Sequence, residues 1–348
     1  MNLLIEKLKK NHSKLVFFIF FLYFLIGIVT FQDYGISIDE KFQRLSGFYW
    51  LNYLLSFTNF EHLKEIVDLK ILSTTDYTLP SLQQNLRYSI FFDVPSALIE
   101  VIFKIEESKT YFEIRHFFNF FIFFLSSIYF YKLLKNRFIN YSVSIIGTVF
   151  YMLSPKIYGA SFYNNKDIVF LSLLVISIYF FFKTIDSLSY KNIIFLSAAL
   201  AAATTFRIIG IFFPLMFLIF YFFSVISKKN ELVFLPKIVL FAFLFFLFLY
   251  IFWPYLWNSP VKNFISIFNV GEMLIKMKIL FNGNYVNSNF LPISYLITWI
   301  IISTPVIHLI LFFSGLFFCL KRFLLRFINL EKNKNGYDLW RGKNEKKD

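Results

Sequence analysis

Residues 14–31 read KLVFFIFFLYFLIGIVTF, so that 17 residues without a charge follow Lys14. At 1.5 Å of rise per residue, a helix of roughly this length is enough to cross the hydrocarbon layer. A basic leader (Lys7, Lys9, Lys10, Lys14) precedes it, and Phe31, Gln32 and Asp33 follow with no small-x-small cleavage site. An uncleaved signal anchor is expected rather than a signal peptide. The same pattern recurs at about 115–134, 138–154, 168–185, 191–206, 208–227, 237–253 and 291–320, which predicts eight spans. Pro305 divides the last into an outer interfacial piece and one crossing. The whole chain agrees: of 348 residues, 58% are apolar, 23% aromatic and 16% charged. A soluble domain carries about 25% charge. With 11 Gly, 9 Pro and one Cys, collagen, disorder and a disulfide scaffold are excluded as well. An all-α integral membrane protein is predicted.

The net charge of +14 would suit a nucleic-acid binder if the cations were clustered without regard to the spans. With the N-terminus inside, they sort by side instead. The inner segments hold 21 of the 35 Lys and Arg and carry the whole +14, whereas the outer segments net to zero. Positive residues set orientation, so both termini are expected on the cytoplasmic side and no nucleic-acid partner is implied. The resulting division is a membrane-embedded domain over 1–320 and a basic cytoplasmic tail over 321–348. Residues 32–114 become one long outer loop with amphipathic stretches near 41–57 and 95–105, read as helices on the membrane surface. No fixed-period or inverted repeat is present, which gives little support to a transporter built from repeats.

Four constellations on the outer side could carry chemistry. The first, DYGISIDEKFQRLSG (33–47), sets Asp39 and Glu40 at the membrane exit. A carboxylate at the edge of a low-dielectric region can act as a general base, or Asp39 can cap the helix that starts there. The second, SPKIYGASFYNNKDIVF (154–170), holds Lys166 and Asp167. They could be a snorkelling cation and a cap, or, with the first loop, part of a site on one membrane face. The third is cationic: Arg115 and His116 entering the second span, and Arg207 in TTFRIIG. Such groups are usually paired or functional, so they suit either a lipid-linked phosphate or ion pairs with the loop acids. The fourth, FWPYLWNSP (252–260), supplies Trp253 and Tyr255, as an interfacial belt or as sugar-stacking rings. No metal-ligand spacing, Gly-rich phosphate loop or nucleophile elbow is present, so no metal or cofactor is indicated, although carboxylates could hold a divalent cation.

Taken together, these segments resemble the bacterial protein mannosyltransferase and aminoarabinose transferase family, glycosyltransferase family 39. The resemblance rests on Asp39, Glu40, Phe42 and Gly47; on Arg115, His116 and Asn119; and on Ser154-Pro155-Lys156 through Gly159, Phe162, Asn164, Lys166 and Asp167. The WPYLW segment, Leu291-Pro292 and Ser303-Thr304-Pro305 complete it. It implies a GT-C bundle of about eight spans in the bacterial inner membrane and an inverting transfer of sugar from a polyprenyl-phosphate donor. The acceptor would be an envelope lipid, glycan or protein on the periplasmic face. Asp39 would be the general base, with Glu40 and Asp167 positioning the acceptor. Lys166, Arg115, Arg207 and His116 would meet the donor phosphate, and Asn165, Trp253 and Tyr255 would line the substrate. Two departures stand out: Ile293 follows Pro292 where the family has an aromatic, and the family continues for further spans beyond the equivalent of residue 320. The alternative is a non-catalytic lipid-carrier transporter or an inactive, shortened remnant of the family.

Overall fold

The computed structural model describes residues 2–73, 87, 89–138, 140–227, 235–268 and 277–328. Residues 329–348, which hold most of the predicted basic tail, lie outside them. The chain divides into two compact units, residues 1–152 with 157–267, and residues 153–156 with 268–348.

The described residues of the first unit form helices and the turns between them. Helix α1 (Asn2–Thr30) ends in a 3-10 turn over Phe31–Asp33. Among the described residues, three helices follow in the outer loop, α2 (Glu40–Leu55), α3 (Glu61–Ser73) and α4 (Asp93–Ile102). The bundle continues with α5 (Ser108–Arg137), α6 (Tyr141–Met152), α7 (Pro155–Tyr163), α8 (Asp167–Asp186), α9 (Tyr190–Phe206), α10 (Phe212–Ser227), α11 (Leu235–Phe252) and α12 (Pro260–Phe268). Each span predicted in this unit overlaps a helix, but not every one of these helices is long enough to cross a membrane alone, so the predicted count of eight is not reached among the described residues. Among the described residues, four are long and apolar enough to cross a membrane alone: His12–Asp33, Ser108–Arg137, Asp167–Asp186 and Leu235–Phe252. Helices α6, α9 and α10 are shorter, at 12, 17 and 16 residues.

The sequence of α9 explains the centre of the bundle. Its Ser-Ala-Ala-Leu-Ala-Ala-Ala run has almost no side-chain bulk, so α8 and α11 both pack directly against it. Ser189 caps it by accepting from the Asn192 amide. Around its first half gather Ile193, Leu196 and Leu200 with Phe217 of α10 and Phe241, Phe245 and Leu249 of α11. A second cluster joins Tyr23 of α1, Phe120 and Phe123 of α5, Met152 and Phe162. Gly27 makes that contact, because a Cβ there would lie 1.9 Å from the Phe120 ring. A third cluster is confined to the outer loop, where Phe48, Leu51, Val67, Ala97 and Val101 pack α2, α3 and α4 together. Phe17, Phe18 and Phe21 on α1 and Phe243 and Phe246 on α11 remain exposed. Apolar faces of this extent match an all-α integral membrane protein, whose outward side chains meet lipid.

The second unit contains a hairpin that the sequence reading did not anticipate, β1 (Lys278–Phe281) paired antiparallel with β2 (Asn284–Asn287). Its two-residue turn is Asn282-Gly283, both with positive φ (49° and 80°), as the tight turns favoured in hairpins demand. Helices α13 (Ser294–Ser303) and α14 (Val306–Ile328) follow, bent by 117° at the break before Pro305. Pro305 lacks the amide needed to continue the first helix, so the sharp change of direction falls where the residue type requires it.

Candidate functional site

The site is built outward from the first turns of α5. Phe112, Arg115, His116, Asn119, Phe120 and Phe123 recur at helical spacing and are all buried. This stripe puts two polar groups, Arg115 and His116, side by side inside the protein. A buried guanidinium is costly unless paired. Arg115 forms an ion pair with Asp93, the first residue of α4, and lies 5.3 Å from the centroid of the Phe92 ring. His116 Nε2 lies 3.0 Å from Glu40 Oε1, and both side chains are 2% exposed. Glu40 also accepts the Ser37 amide at 2.7 Å. The two neighbours on α5 therefore reach opposite partners: one holds the start of α4, the other the turn before α2.

Asp93 is the residue that the sequence reading passed over. It lies two residues ahead of the amphipathic stretch read near 95–105, and an acid with Pro95 close behind has the composition of an ordinary helix start. In the fold it is a junction. Besides Arg115, it accepts a hydrogen bond from Asn165 Nδ2 at 3.2 Å, and the charge of Lys166 acts on it. Burial pushes its carboxyl above the usual carboxylate range, while Arg115, Lys166 and Asn165 pull in the opposite direction. Gly47 of α2 makes this placement feasible, since a Cβ there would come within 2.5 Å of the Asp93 carbonyl oxygen.

The loop between α7 and α8 forms the second side. Asn164 Oδ1 accepts the amides of Lys166 and Asp167 at 3.3 and 2.9 Å, so Asn164 caps α8. Asp167, freed from that duty, receives Arg207 Nε at 2.8 Å and a second bond from the same guanidinium. This pair is open to solvent, with side chains 39% and 52% exposed. Arg207 gets there because α9 ends at Phe206 and Arg207 itself is extended.

Asp39 occupies the N-cap position of α2, yet its side chain makes no capping hydrogen bond and is exposed. The capping role weighed for it is not taken up. Its neighbour Glu40 is fixed by Ser37 and His116, which anchors the backbone that carries Asp39. Trp253 is buried and donates from Nε1 to the Arg87 carbonyl at 2.7 Å. Tyr255 shares a hydrogen bond with Ser266 (3.0 Å), and its carbonyl accepts from Asn263 (2.6 Å). Both rings thus have structural partners. The outer-loop helices carry one further buried group that was not singled out for chemistry. Arg44 donates to Glu100 and stands 3.8 Å from the Tyr111 ring, and Lys70 completes the set at 3.5 Å from Glu100.

Two of the groups named in the sequence are joined to the outer loop through α5, Arg115 to Asp93, which also takes Asn165, and His116 to Glu40, whereas Arg207 meets Asp167 between the end of α9 and the start of α8. No curated protein and no solved structure matches the chain. Residues 94–257, which carry Arg115, His116, Asn165, Lys166, Asp167 and Arg207, match the family model described as Dolichyl-phosphate-mannose-protein mannosyltransferase. Over that stretch the chain is similar to this family, which supports reading it as a membrane glycosyltransferase of the GT-C type.

Proposed function

We propose that this protein is a family 39 glycosyltransferase that moves a sugar from a polyprenyl-phosphate donor to an envelope acceptor at the periplasmic face of a bacterial inner membrane. The observation that carries the reading is the gathering of acids and cations around Arg115 and His116, within and beside the segment similar to mannosyltransferases. Asp39 is exposed on a backbone anchored by Glu40, which suits a base that must meet an incoming hydroxyl or amine. It takes the acceptor proton as the acceptor oxygen or nitrogen attacks the anomeric carbon. The bond from that carbon to the phosphate oxygen breaks in the same step, and the phosphate leaves with the electron pair. The configuration at the anomeric carbon inverts.

Charge then grows on the departing phosphate. Lys166 and Arg207 stand at the solvent-open edge of the site, where Arg207 can exchange its exposed partner Asp167 for a phosphate. Arg115, buried against Asp93, contributes its field and holds the two loops in register. Asn165 and Glu40 position those loops, and His116 orients Glu40. Trp253 and Tyr255 line the neighbouring edge.

The test is transfer of labelled sugar from defined polyprenyl phosphates by the purified protein in lipid. Removing a general base typically lowers the rate 10²–10⁴-fold, so Asp39→Asn is expected to lose at least about a hundredfold at unchanged membrane abundance. Wild-type transfer by that variant would overturn the assignment of the base. Movement of intact donor across the bilayer without transfer would point to a carrier.

A further inference from the structure

Beside the site, but on a different face of α5, lies a cavity of about 540 Å³. Its walls are Phe31 in the turn after α1, Ile99 of α4 and Phe103 just beyond it, and Phe117 and Phe118 of α5. Into this apolar space faces one acid, Glu113, accompanied by Thr110 on the same face. The arrangement is unusual because the acid is poorly served by the protein. Glu113 Oε1 is buried without a hydrogen-bond partner, and Oε2 has only a 3.4 Å contact from Gln32 Nε2. Lys109, one turn earlier, stands 3.7 Å from Oε1, with its own side chain 72% exposed. Leaving a buried acceptor without a donor is costly.

We propose that this cavity is a binding site for a bilayer phospholipid whose headgroup carries a primary amine. The upper part of one acyl chain would occupy the Phe- and Ile-lined space at the end of a membrane-spanning helix. The ammonium would donate to Glu113 Oε1, and the phosphodiester would meet Lys109. The opposite charges of Glu113 and Lys109, four residues apart on one helix face, complement the opposite charges of a zwitterionic head. A wholly anionic lipid, or the polyprenyl phosphate of the proposed reaction, would place its charge against the Glu113 carboxylate. A choline head has no N–H to give. The proposal is independent of the glycosyltransferase reading, because it uses none of the residues assigned to transfer.

Binding is read by native mass spectrometry of the full-length protein, titrated in detergent with phosphatidylethanolamine, phosphatidylcholine or phosphatidylglycerol. A charge-assisted hydrogen bond of ordinary strength corresponds to about tenfold or more in affinity. Phosphatidylethanolamine is therefore expected to bind about tenfold more tightly than phosphatidylcholine. Glu113→Gln is expected to reduce it to the phosphatidylcholine level, and Ile99→Trp, which sets a bulky ring into the cavity, to weaken its binding. Equal binding of the three lipids by the wild-type protein, tighter binding of phosphatidylglycerol, or an undiminished preference in Glu113→Gln would each overturn the proposal. The wild-type comparison needs no variant, so it decides the matter even if a substitution prevents folding.

Discussion

Asp93 ties the start of α4 to α5 and to the loop before α8. It is buried with Arg115, and removing one partner of a buried ion pair typically costs about 3–5 kcal/mol because the other charge is left uncompensated. Arg115→Met is therefore expected to lower the thermal unfolding midpoint of the detergent-solubilised protein markedly. Arg115→Met combined with Asp93→Leu should recover much of the loss, and the double variant separates the charge effect from packing. The same carboxyl sets a pH dependence. Its folded pKa lies above the unfolded value of about 3.9, so the folded state binds this proton more tightly. Its contribution to stability is fully present below the unfolded value and is lost as the pH rises through the folded one. Thermal midpoints from pH 4 upward should show the advantage of wild type over Asp93→Asn shrinking with rising pH. An advantage that grew with pH would mean that Arg115 outweighs burial.

At the scale of elements, the meeting of α2 with α4 depends on the missing side chain of Gly47. In Gly47→Ala the new Cβ falls 2.5 Å from a backbone oxygen, that of Asp93, and a backbone atom cannot turn aside as a flexible side chain can. A loss of about 1–3 kcal/mol is expected, as for other overpacked contacts, together with a displaced Asp93. Gly47→Ala should also lower transfer activity, whereas Gly35→Ala, with nothing within 4 Å of its Cβ position, should not. The cap of α8 gives a smaller effect. Asn164→Ala should cost about 1 kcal/mol, the usual value of an N-cap, measured as a shift in thermal midpoint. These element-level features were only partly legible in advance. The amphipathic stretches near 41–57 and 95–105 correspond to α2 and α4, since helical periodicity is local. That Asn164 rather than Asp167 caps α8 was not legible, because both are common caps and only the geometry chooses.

For the whole molecule, the charge distribution makes a prediction about sidedness. With Cys319 replaced by Ser, single cysteines at Glu106 and Lys262 should react with an impermeant thiol reagent in intact cells. Cysteines at Asn140 and Ser187 should react only after permeabilisation. The reverse pattern would invert the topology and move the proposed site to the cytoplasm. The membrane class and the helical positions were determined by the sequence alone, because hydrocarbon demands long uncharged runs and those runs are contiguous in the chain. The types of polar residue at the span ends were equally visible. Their partners were not. Arg115 with Asp93 are 22 residues apart, Arg207 with Asp167 are 40, and Glu40 with His116 come from separate helices. Only the packing of α5 against the outer-loop helices, and of α8 against α9, decides which acid each cation meets. For that reason Asp93, inconspicuous as a helix start, emerges as the junction of the site, while Asp39 keeps its exposed carboxylate.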